Sequence, residues 1–123
     1  MKGLILFAHG ARDPRWAAPF EALAAKVRDR APELIVGLAY LEHLAPDLES
    51  ALRAQAAQKV DTVRVVPLFF GRGGHLRDDF PRVLARARAA VPNVDVAVTE
   101  AAGEDDNVLE ALAMFALKDY GGC

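Results

Sequence analysis

A single-domain α/β protein with a parallel four-stranded sheet and helices on both faces is what this chain predicts. Three observations predict it. Apolar runs rich in β-branched and aromatic residues recur at residues 3–8, 34–41, 62–70 and 94–99. Each is followed by a segment whose apolar residues return at helical spacing. The connections are short, and no linker, low-complexity stretch or composition break interrupts residues 1–123. Strict β-α alternation specifies parallel strands joined by right-handed crossovers, the flavodoxin-like pattern.

The first run, residues 3–8, is apolar without alternation, as in a strand covered on both faces. Helix one is expected over residues 14–30, where Trp16, Phe20, Leu23 and Val27 repeat at helical spacing. Asp13 suits its cap and Pro14 its first turn. The second strand spans residues 34–41. Pro46 and Asp47 then open helix two, with Leu48, Ala51, Leu52 and the pair Gln55 and Ala56 as its stripe. The third strand, residues 62–70, runs into Gly71, Arg72, Gly73 and Gly74. Helix three is expected from about Asp79 to Ala90, buried through Phe80, Val83, Leu84 and Ala87, with Pro81 in its first turn. A fourth strand, residues 94–99, leads into an acidic loop, residues 100–106. Helix four, residues 106–119, is expected to bury Val108, Leu109, Leu112, Phe115 and Ala116, and Gly121 to stop it.

Composition removes several classes. With 15 basic and 17 acidic residues the chain has no bulk attraction for nucleic acid or anionic membrane. The opening apolar run is too short for a spanning helix or a signal peptide. The single cysteine, Cys123, has no internal disulfide partner, and a cytoplasmic protein is expected.

In a parallel sheet the strand exits converge on one edge, where ligands bind. Those exits carry His9, Arg12, Glu42, His43, Arg72, His75, Arg77 and Glu100, which includes all three histidines. A lone histidine there more often satisfies a backbone carbonyl or faces water. His9 and His75 as a pair favour direct chemistry, whereas His43 reads as a surface residue. Neutral imidazole binds Co, Fe, Ni, Cu and Zn in competition with protons. Without CxxC or HExxH the site is sparse and open, suited to a metal that arrives and leaves. Glu42 reads as a proton acceptor or as a partner that orients a ligand, against the plainer reading of a surface charge. The Gly71–Gly74 loop allows close backbone approach to a ligand but is neither GxGxxG nor a P-loop. Arg12, Arg72 and Arg77 suit the carboxylates of a polyanionic ligand, or plain surface charge balance.

The segments His9-Gly10-Ala11-Arg12-Asp13-Pro14 and Val66 to Asp79, with Tyr40-Leu41-Glu42 and Gly103 to Asp106, resemble the small sirohydrochlorin cobaltochelatases, single-domain class II chelatases. The resemblance covers nearly the whole chain. It implies a chelatase-like fold, a homodimer, and insertion of Co(II) into sirohydrochlorin during anaerobic cobalamin synthesis, with no permanently bound cofactor. It implies His9 as metal ligand and proton acceptor and His75 as second metal ligand. Phe70, Gly71, Arg72, Gly73, Gly74 and His75 would contact the tetrapyrrole, with Arg12 and Glu42 as further substrate contacts. Ala11 replaces a common serine, Ala45 replaces a glutamate of some members, and the histidine-rich insertion of some archaeal members is absent. Fe(II) or Ni(II) delivery is the nearest alternative reaction. A metal or tetrapyrrole carrier and a flavodoxin-like nucleotide module are the alternatives of other classes.

Overall fold

The computed structural model describes residues 1–71 and 75–120, those of 75–78 in their backbone alone. Four parallel strands, β1 (Lys2–Ala8), β2 (Ile35–Tyr40), β3 (Thr62–Pro67) and β4 (Asp95–Val98), form one sheet in the order β2-β1-β3-β4. The helices are α1 (Ala18–Arg30), α2 (Leu48–Ala57), α3 (His75–Ala90) and α4 (Asp106–Ala116). The chain moves from β1 outward to β2, then returns past β1 to β3. The strand order therefore reverses between β1 and β3, and an open α/β sheet has its crevice at that point.

One face of the sheet holds the main core. Ile5, Phe7, Val63, Val65 and Val96 meet Leu48 and Leu52 of α2 and Phe80 and Ala87 of α3, all buried. The Phe7 ring stacks on Phe80 at 5.4 Å and meets Phe69 edge-on at 5.8 Å. Asp47 caps α2 by accepting the Ser50 N–H, a bond that holds its carboxyl below the usual carboxylate range. Buried Gln55 donates to the carbonyls of Leu4 and Ile35, tying α2 across β1 and β2. On the opposite face α1 lies along β1 and β2. Arg28 donates to the Val36 carbonyl, and Phe20 packs edge-on to Tyr40.

The architecture follows the expected alternation, and three local expectations are corrected. Residues 14–17 form a separate 3-10 turn, Pro14–Ala17, ahead of α1. Asp13 accepts the Arg15 N–H and grips its guanidinium, which closes the turn and lowers the Asp13 carboxyl. The change of pitch shifts Trp16 out of the helical stripe, and it stands 61% exposed. Secondly, α3 begins at His75 rather than near Asp79, so Pro81 lies inside the helix. Insertion of Phe80 between Phe7 and Phe69 outweighs the local preference of proline for a first turn. Thirdly, α4 buries none of its residues: Val108, Leu109, Leu112 and Phe115 are all exposed. Helical periodicity identifies a face that needs cover, not what covers it. Gly121 lies outside the described residues. No helix of the described residues is long and apolar enough to cross a membrane.

Candidate active site

The exits of β1, β2 and β3 meet at the reversal point. The ladder between β1 and β2 continues past the strands, with Leu41 N–H donating to Ala8 O at 2.9 Å and Glu42 N–H to His9 O at 3.1 Å. Gly10 sits at φ +93°, and a Cβ there would overlap the Glu42 carbonyl oxygen. Only glycine permits this approach of the two loops. It brings His9 Nε2 to 2.9 Å from Glu42 Oε1, with both side chains half exposed.

An ionised carboxylate can only accept, so Nε2 carries the hydrogen, and a neutral ring keeps its lone pair on Nδ1. Leu44 N–H bonds Glu42 O at 2.8 Å across a three-residue turn whose centre, His43, has φ 68°. That turn aims His43 back at the same carboxylate, Nε2 lying 3.8 Å from Glu42 Oε1. His43, read from sequence as a surface residue, is thus part of the cluster. Behind His9 stands buried Phe69, edge-on at 6.4 Å. The 3-10 turn Ala102–Glu104 closes the floor: Gly103 N–H donates to Phe69 O at 2.8 Å, and its Cα lies against the Phe70 backbone.

Two grooves flank the cluster. One, of about 310 Å³, is apolar and lined by His9, Gly10, Ala11, Trp16, Phe20, Leu44 and Leu68. The other, of about 290 Å³, runs over Leu41, Glu42, Asp79, Arg82, Val83 and Arg86. A larger groove of about 400 Å³ beside Glu21, Arg28 and Tyr40 shares Leu44 with the first but holds no imidazole.

Of the residues expected from sequence, His9 and Glu42 are brought together. Phe70, next in the chain to Phe69, is 73% exposed, Gly71 is open to solvent, and Arg12 is exposed on the β1 exit. Arg72, Gly73 and Gly74 lie outside the described residues. His75 is the first residue of α3, and its side chain and that of Arg77 lie outside them too. The site contains residues that sequence reading missed. Trp16, Phe20, Leu44 and Leu68 make its apolar wall, and Arg82 and Arg86 bring two cations to the charged groove that Glu42 and Asp79 also line. The spacing of the two arginines, one helical turn apart after the glycine loop, was the available signal. Among the described residues no group of three or more His, Cys, Asp and Glu forms a closed metal cage.

Fold and site together define a doubly wound α/β protein with an imidazole–carboxylate pair at its switch point, set between an apolar groove and a charged one. A family model, CbiX, matches residues 3–116, and the chain belongs to the CbiX family. The sirohydrochlorin cobaltochelatase of Sulfurisphaera tokodaii is 30% identical over 115 residues, covering 91% of this chain and 88% of that protein. That of Saccharolobus solfataricus is 28% identical over 120 residues, covering 91% of each. A crystal structure described as a CbiX protein of cobalamin (vitamin B12) biosynthesis from Marinobacter aquaeolei VT8 superposes with a TM-score of 0.85 at 30% identity, covering 98% of both chains. The sirohydrochlorin chelatase SirB from Bacillus subtilis subspecies spizizenii, in complex with cobalt, shares the fold at TM-score 0.75 and 22% identity. It matches 96% of this chain and 50% of its own.

Proposed function

We propose that this protein inserts Co(II) into sirohydrochlorin, acting as a homodimer in the cytoplasm. The observation that carries the reading is the His9–Glu42 pair at the mouth of the apolar groove, in a chain whose relatives across most of its length bear the name sirohydrochlorin cobaltochelatase. The metal is a substrate, as is the tetrapyrrole.

Metallation requires two pyrrole N–H protons to leave as the ion enters. His9 accepts one of them at Nδ1 and passes its Nε2–H to Glu42, which is half exposed and releases that proton to water; the ring then exchanges its remaining hydrogen with solvent and carries off the second proton by the same route, its lone pair meeting the ion in between. Glu42 also holds the ring in orientation, as a carboxylate does behind a ligating imidazole. His75, at the start of α3, supplies the second imidazole to the ion. Phe70 and the loop 71–74 lie along the macrocycle, with Arg12 and Arg72 on its carboxylates. A four-pyrrole ring exceeds a groove of about 310 Å³, so a second copy supplies the facing wall. The match to half of the SirB chain, which carries as much again beyond the match, supports that arrangement.

The test is anaerobic mixing of protein, sirohydrochlorin and Co(II), followed by the change in absorbance, with Fe(II) and Ni(II) in parallel. A rate well above the uncatalysed background, fastest with Co(II), is expected. No acceleration with any ion overturns the reading, and a preference for another ion reassigns the metal.

Two further results are expected. Trp16 is the chain's single tryptophan and lines the His9 groove. Sirohydrochlorin binding will therefore quench the intrinsic tryptophan fluorescence in proportion to occupancy. Saturating ligand with unchanged emission would place the macrocycle elsewhere. Replacing both Arg82 and Arg86 by glutamine will raise KM for sirohydrochlorin about fivefold with a smaller change in kcat, since exposed charge-assisted pairs contribute about 1 kcal/mol together. Steady-state kinetics over a range of salt checks it; an unchanged KM removes these two arginines from the substrate site.

A further inference from the structure

Tyr40 is 3% exposed, yet its hydroxyl has no hydrogen-bond partner among the described residues and is not sealed from solvent. The residue lines the groove of about 400 Å³ beside Glu21 and Arg28. Burying a hydroxyl without a partner costs stability, and phenylalanine would fill the same space without that cost. Burial, and after it the Glu21 carboxylate, hold the phenol above its usual range, so the group stays an O–H donor. Edge-on contact with Phe20 at 6.3 Å fixes the ring. A fixed donor at a groove wall lacks only an acceptor, which the protein does not supply.

The rest of the groove indicates which acceptor fits. Leu38, Leu44 and Pro46 give it an apolar surface. Arg28 donates from one guanidinium nitrogen to the Val36 carbonyl, which holds the cation in place, and its other nitrogens are unpaired among the described residues. The groove also adjoins the one beside His9. Leu44 lines both, and consecutive residues divide between them, Ala17 and Glu21 on this side, Trp16 and Phe20 on the other. A macrocycle too wide for the His9 groove therefore carries its rim across Leu44. Sirohydrochlorin bears acetate and propionate arms on that rim, each a short apolar stem ending in a carboxylate.

We propose that the Tyr40 groove is a subsite for one peripheral carboxylate arm of sirohydrochlorin, with the Tyr40 hydroxyl as its hydrogen-bond donor and Arg28 as its counter-ion. The proposal rests on the sirohydrochlorin reading above and adds an anchor for one substituent, remote from the reacting nitrogens. Stem methylenes lie on Leu38, Leu44 and Pro46. Glu21 faces the same space and opposes the arm, so the groove discriminates against a second anion. Tyr40 is thus a specificity-determining residue: a tetrapyrrole with a methyl group in place of that arm leaves the hydroxyl buried and unpaired.

The test is equilibrium dialysis of metal-free sirohydrochlorin against the unaltered protein, Tyr40→Phe and Glu21→Gln, read by the absorbance of the ligand, with thermal melts of the free proteins. Tyr40→Phe is expected to raise Kd at least about tenfold, the contribution of a hydrogen bond to a charged acceptor, and to melt at or above the temperature of the unaltered protein. Glu21→Gln is expected to lower Kd about threefold, as removal of an exposed opposing charge does. An unchanged Kd in Tyr40→Phe overturns the subsite and leaves the sirohydrochlorin reading standing. A lower melting temperature of Tyr40→Phe means that the hydroxyl bonds within the protein, which also overturns it. Weaker binding by Glu21→Gln means that the groove takes a donor such as an ammonium and overturns the carboxylate. No binding by the unaltered protein overturns both readings, whereas binding with both expected shifts but no metallation keeps the subsite and removes the enzymatic reading.

Discussion

His9→Ala will lower kcat for sirohydrochlorin metallation by a factor of about 10²–10⁴, the range that a positioned acid–base group contributes. The imidazole is the group that the β1 exit holds 2.9 Å from Glu42 at the mouth of the apolar groove. Its side chain is half exposed, so truncation opens no core cavity, and the far-ultraviolet circular dichroism and melting temperature will stay close to those of the unaltered protein. Loss of activity with the fold intact separates a chemical role from a structural one. Trp16 quenching by sirohydrochlorin will persist in this variant, because the tryptophan, Phe20 and Leu44 remain. A His9→Ala protein that metallates at the normal rate would remove the residue from the mechanism, however close it lies to Glu42.

Gly10→Ala will have the largest effect on stability. A φ of +93° is strained for any residue with a Cβ, and that Cβ would occupy the position of the Glu42 carbonyl oxygen. The backbone must therefore shift, at a cost of about 3 kcal/mol, or a fall of the order of 10 °C in melting temperature for a domain of this size. The same shift parts His9 from Glu42, so kcat will fall with stability. Gly71→Ala is the control for stability, because a Cβ there meets nothing within 4 Å. It will change the melting free energy by less than about 0.5 kcal/mol. Thermal melts of the two variants check both numbers. Equal stability of Gly10→Ala and the unaltered protein would mean that the two loops are not packed as described.

The site was partly legible before any coordinates. His9 and Glu42 follow two apolar strands, and parallel topology alone sends both to one edge. That they form a hydrogen-bonded pair was not legible, because it depends on Gly10 lying against the Glu42 backbone and on a ladder that runs one residue past each strand. His43 was undervalued for a related reason. Its ring turns back toward Glu42 through a backbone turn with φ 68°, which nothing in the residue type announces. Trp16 was assigned to a buried stripe because a helical count across residues 14–30 ignores a change of pitch. The Asp13–Arg15 contact that closes the 3-10 turn is what moves it into the groove. Arg82 and Arg86 were passed over because nothing in the expected helix, residues 79–90, shows locally that the face carrying them turns toward Leu41 and Glu42.

Strand order is the clearest division between the two sources. Alternation of apolar runs and amphipathic segments determined, from sequence alone, that there are four parallel strands and that their exits gather on one edge. It determined this because each period is a local property, set by the geometry of a strand or a helix over a few residues. Placing β1 between β2 and β3, and so opening the crevice beside His9, was decided only in three dimensions. The same is true of α4. Its apolar stripe is written in Val108, Leu109, Leu112 and Phe115, but whether a stripe meets its own sheet or another surface depends on packing between distant segments, which no local pattern encodes.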